Sequence, residues 1–99
     1  MFENATVQTF VLQLVHQAQV VSKVHLQDQE LTLKLMSIRL RAATWLSNLS
    51  QEDRTAALAL VQHAIEQWKE RARTNSGDEY ETKSVLRLLW LVYKPPQVL

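Results

Sequence analysis

The sequence predicts an all-α protein, a small four-helix bundle-like domain, and three observations carry that expectation. The 99 residues hold one Gly and two Pro, where average usage would place roughly seven and five. Leu, Ala, Gln, Glu and Arg, all good helix formers, are abundant. Apolar residues recur at helical spacing through most of the chain. Few turn residues mean long helices joined by few, short connections, which disfavours a β-sandwich or barrel. A chain of this length forms one domain, small enough that oligomerisation would help it.

Four helices follow, over residues 4–24, 29–48, 51–73 and 79–94. In the first, Asn4 or Thr6 is a suitable N-cap, and Val7, Phe10, Val11, Leu14, Val15, Ala18 and Val21 share one side. His25 to Gln27 form a short connection. The second begins after Asp28, with Leu31, Leu35, Ile38, Ala42, Trp45, Leu46 and Leu49 as its main stripe. Leu31, Leu33 and Leu35 alternate with polar residues as a strand would, but Met36 breaks the alternation and the helical register runs on.

The third helix starts at a capping-box-like Ser50-Gln-Glu-Asp53, with Asp in place of the usual Glu. Ala57, Leu60, Val61, Ala64, Ile65, Trp68 and Ala72 make its apolar face, and Thr74-Asn-Ser-Gly77 ends it. Asp78 caps the fourth, whose first turn is acidic and whose end is set by Pro95. A strand over residues 85–93 is the competing reading there. Residues 95–99 form an extended tail after the domain of residues 1–94, either frayed or hooked into a groove.

The charges are unevenly spread. Residues 4–22 contain no Asp, Glu, Lys or Arg, and between Ser84 and Tyr93 only Arg87 is charged. Surface helices normally dress their outer side in charge. Projection at 100° per residue gives the first helix a second apolar stripe, Leu12, His16 and Val20. The second helix likewise carries Leu33, Met36, Leu40 and Ala43 opposite its main stripe. In the fourth, Trp90 and Leu91 point away from Val85, Leu88, Leu89 and Val92. One bundle core gives each helix one buried stripe. Surplus stripes of this kind mark interfaces, so the sequence predicts a homodimer associating through Leu12, His16, Val20, Leu33, Met36, Leu40, Trp90 and Leu91. A central helix buried all round would excuse one of the three.

Chemistry is thinly represented. There is no cysteine, hence no disulfide, thiolate or Cys-based zinc pattern. No Gly-rich loop exists to cradle phosphate. His63, Glu66 and Glu70 share a helix flank, and His25, Asp28 and Glu30 cluster in the first connection, but both read as ordinary polar surface and cap chemistry. His16 in an apolar stripe fits an ordinary interface or surface histidine better than a protonation switch. No catalytic, cofactor-binding or metal-binding residues are assigned.

A net charge of +1 gives no strong pull toward nucleic acid or anionic membrane. The start lacks a basic leader region and no segment reaches the roughly 20 apolar residues of a membrane span, so the cytoplasm is expected. The sequence therefore points to a small non-catalytic protein–protein interaction, regulatory or adaptor protein with an unidentified protein partner. Two alternatives stand beside it. One is a nucleic-acid-associated regulator using Arg39, Arg41, Lys69, Arg71 and Arg73; nucleic acid is the disfavoured partner, because acids lie close to the second cluster. The other is a binder of an apolar small molecule between helices.

Overall fold

A computed structural model of the chain describes residues 2–74 and 77–94. The expected cap residues Asn75 and Ser76 and the expected tail, residues 95–99, lie outside the described residues. Four helices form, α1 (Val7–Ser22), α2 (Asp28–Ser47), α3 (Gln51–Arg73) and α4 (Glu79–Tyr93), with no strand among the described residues.

Three of the four starts carry a side-chain cap; α2 begins at Asp28 after Gln27, with no side-chain cap bond. In α1 the cap is Thr6, not Asn4: the Thr6 hydroxyl accepts from the Thr9 amide at 3.2 Å and the Thr9 hydroxyl accepts from the Thr6 amide at 2.8 Å. This reciprocal pair is a capping box with Thr in the Glu position. It shortens the expected helix by three residues and frees Phe2, which turns back to pack its ring 5.3 Å from Phe10. At the other end α1 stops at Ser22 rather than residue 24, because His25 takes a left-handed φ of 48°.

The region 31–35, which alternates like a strand, is helical. Leu31 and Leu35 are buried one turn apart and Leu33 faces outward. The Ser50 hydroxyl caps α3 by accepting from the Asp53 amide at 3.1 Å, one half of the expected box. Gly77, at φ +86°, occupies the left-handed conformation that turns the chain into α4. The Asp78 carboxylate then accepts from the Tyr80 amide at 2.8 Å.

The packing is not that of an up-and-down bundle, where successive helices lie side by side. α2 and α3, only three residues apart in sequence, barely touch, and α4 packs against α1, α2 and α3 alike. Arg54 holds the corner between α2 and α3 by donating to the Leu46 and Leu49 carbonyls, each at 3.1 Å. Leu46 is in the last turn of α2 and Leu49 just past its end, so the guanidinium sits at the negative end of the α2 dipole.

α4 is therefore the central helix. It buries Thr82, Ser84, Val85, Leu88, Leu89 and Val92. Its two buried hydroxyls are satisfied within the helix, Ser84 donating to the Tyr80 carbonyl at 2.8 Å and Thr82 to the Asp78 carbonyl at 2.9 Å. That is how a helix with polar residues inside avoids the cost of unpaired groups. Around α4 the core closes with Phe10, Leu14, Leu31, Leu35, Val61 and Ile65. The Phe10 ring stacks on Trp45 at 4.4 Å.

Candidate functional site

The eight residues expected to form one association surface fall on three. On the outer face of α1, Leu12 is 71 % exposed, Val20 is 46 % exposed and His16 is exposed between them. On the outer face of α2, Leu33 and Leu40 are 65 % and 57 % exposed. Met36 does not join them. It is half-buried and faces a groove, together with half-buried Leu91 and the edge of Trp90.

The surplus apolar surface thus has two different explanations. In α4, the central helix, Leu91 is half-buried against its neighbours and Trp90 stays at the groove edge. In α1 and α2 it remains on the outside. The expected clean face of α3 also needs correction, since Leu60 is 38 % exposed and Ala72 is exposed; they sit at the margins of a stripe whose buried centre is Ala57, Val61, Ala64, Ile65 and Trp68. Isolated exposure of this kind is normal.

The groove runs between α2 and α4, under the C-terminal end of α3, and encloses about 870 Å³. Met36, Leu86 and Leu91 form its floor. Its edges carry Lys83 and Arg87 from α4, Lys94 at the α4 C-cap, Arg71 from α3 and, among the described residues, a single acid, Glu79. Arg87 bridges the two walls, donating to the Asp28 carboxylate at 3.0 Å and to the Thr32 hydroxyl. Sequence reading missed the groove because its residues come from three helices. The signal was present in Lys83, Arg87 and Lys94, which fall on the side of α4 that also carries Trp90 and Leu91.

The arginines and lysines singled out in sequence do not form one basic face. Arg39 lines a hollow with Arg54, Leu58 and Val92, while Arg41 lines another with Phe2, Thr44 and Trp45. The Arg39 Nε is buried without a hydrogen-bond partner among the described residues. At the end of α3 each cation has its own engagement. Arg71 lies 4.2 Å from the Trp68 ring centroid and Lys69 lies 5.2 Å from that of Trp90. Arg73 pairs with Glu70, whose carboxylate raises the arginine's pKa.

The first connection is built for position. His25 stacks on Tyr80 at 5.0 Å, and the Tyr80 hydroxyl donates to the Leu26 carbonyl at 2.8 Å. Asp28, once grouped with His25 and Glu30, is held by Arg87 instead. Among the described residues, no three of His, Cys, Asp or Glu come close enough to hold a metal ion, and no helix is long and apolar enough to cross a membrane.

These features define an all-α, bundle-like unit with a central fourth helix, two outward apolar faces and one cation-edged groove. Compared with known proteins, the chain matches no family model, no curated sequence and no solved structure.

Proposed function

We propose that the chain is a cytoplasmic, non-catalytic protein-interaction unit that associates with its own copy, most simply as a two-fold dimer. The observation that supports this reading is the outer face of α1. It exposes Leu12 and Val20, and no charged residue interrupts it from Val7 to Ser22. In a two-fold interface a surface patch meets itself, so every charge near the axis faces its own duplicate. A face without charge has no such repulsion to overcome. Burying it gains roughly 25 cal/mol for each Å² of apolar area. Leu33 and Leu40 on the outer face of α2 add further apolar surface of the same kind.

The role that follows is regulation or assembly by contact: an adaptor whose function is exerted by what it holds. Sedimentation velocity tests the reading directly. The natural chain should sediment as a dimer at micromolar concentration. The double variant Leu12→Glu/Val20→Glu should sediment as a helical monomer. A natural chain that stays monomeric at several hundred micromolar would sink the proposal.

A further inference from the structure

We propose that the groove between α2 and α4 receives an acidic amphipathic helix from a partner protein. This goes beyond self-association and uses a different surface, since the outer face of α1 contributes nothing to the groove. Charge is the first argument. Among the described residues, four cations and one carboxylate line the groove, on a chain whose net charge is only +1. Lys83 and Lys94 are exposed and make no ion pair among the described residues. Lys69, over the Trp90 ring, adds a further cation beside the groove edge.

The shape of that charge selects the occupant. Lys83 and Arg87 on α4 and Lys94 at its C-cap are spaced over eleven residues, about 16 Å at the helical rise. Arg87 already has Asp28, and an amphiphile with a single head group would answer one of the two lysines and leave the other unmatched. A nucleic acid would answer the row of cations but leave the apolar floor of Met36, Leu86 and Leu91 without a partner. A helix with leucines one turn apart and glutamates on both flanks answers both, its apolar side on the floor and its acids against the edges. An amphipathic helix of about sixteen residues is some 24 Å long, enough to meet all three cations.

The test is a selection. Sixteen-residue helices with Leu fixed at four positions one turn apart, and Glu or Lys at every other position, are displayed as a library and panned on the full chain. Enrichment of Glu on both flanks of the leucine row is expected. The best selected peptide should lose at least tenfold in affinity on the Lys83→Glu/Lys94→Glu variant, which should instead bind the same peptide with Lys for Glu. Lys34→Glu, one such charge reversal on the outer face of α2, should leave affinity within twofold, and circular dichroism confirms that each variant is folded. The Leu12→Glu/Val20→Glu variant should bind as well as the natural chain, so failure of self-association and failure of the groove are read separately. No enriched helix, no Glu preference, or equal loss with Lys34→Glu overturns the proposal. So does displacement of the peptide by laurate or by a sixteen-nucleotide thymidine strand at lower concentration than the unlabelled peptide itself requires.

Discussion

The Tyr80 hydroxyl donates to the main-chain carbonyl of Leu26 at 2.8 Å, joining the first turn of α4 to a connection 54 residues earlier in the chain. The contact fixes a segment that would otherwise have little to order it. His25 sits there at a positive φ, which costs a non-glycine residue about 1–2 kcal/mol, and its ring stacks on Tyr80. One tyrosine therefore supplies both the hydrogen bond and the aromatic surface against which the strained residue rests.

Tyr80→Phe keeps the ring and removes the donor. Leu26 is only half-buried, so water can reach its carbonyl, and the loss should be about 1 kcal/mol in urea unfolding. Tyr80→Ala also removes the stack and should cost about 2–4 kcal/mol. Amide exchange localises the effect: in Tyr80→Phe, residues 24–28 should exchange faster while the middle of α3 is unchanged. Uniform acceleration throughout the chain would mean that Tyr80 acts on global stability rather than on this connection.

Arg54 should be the costliest polar residue to replace. Its guanidinium serves two carbonyls at the end of α2 and sits half-buried at the corner where α2 and α3 part. Hydrogen bonds from a charged donor contribute about 1.5–3 kcal/mol. Arg54→Met, which retains the apolar stem, should lose stability in that range. Arg54→Lys should fall between the two, since an ammonium keeps the charge but not the fork that reaches both oxygens. Equal stability of the Lys variant and the natural chain would show that charge against the helix dipole suffices and the two-point geometry does not matter.

Ser84 leads to the opposite expectation. It is fully buried in α4, yet its only side-chain hydrogen bond among the described residues returns to the Tyr80 carbonyl of the same helix. Such back-bonding satisfies the hydroxyl without tying one helix to another, and slightly weakens the helix. Ser84→Ala removes donor and acceptor need together, and alanine is the better helix former. Stability should be unchanged or raised by up to about 0.5 kcal/mol, read as the urea midpoint. A loss above about 1 kcal/mol would show that the oxygen fills space the core cannot give up.

Much of the fold was legible because helical periodicity is local. Phe10, Leu14 and Ala18 in α1, and Leu31, Leu35, Ile38, Ala42 and Leu46 in α2, are buried as their spacing requires. What the sequence hid depends on contacts between distant positions. Phe2 precedes any periodic segment, so nothing local marks it as core, yet it is buried against Phe10. Projecting a helix shows how many apolar faces it has but not how many neighbours it will meet. The second face of α4 was for that reason indistinguishable from those of α1 and α2. The candidate residues divided on the same ground, with Met36 and Leu91 in a groove and Leu12 and Leu33 outside.

The outer face of α1 makes a last, thermodynamic prediction. A chain that folds as a dimer is stabilised by mass action, so its unfolding midpoint rises with protein concentration. For the natural chain, thermal unfolding followed from 5 to 500 micromolar should show Tm climbing steadily. For Leu12→Glu/Val20→Glu the midpoint should be flat across the same range. Extrapolated to the concentration at which the natural chain dissociates, the two should coincide, because Leu12 is 71 % exposed and Val20 46 % exposed in the single chain; surface changes at such sites shift stability by only about 0.5 kcal/mol. The two curves must therefore diverge with concentration. If the variant is instead destabilised by several kcal/mol at every concentration, Leu12 and Val20 support the fold of the single chain, and the interface lies on another face.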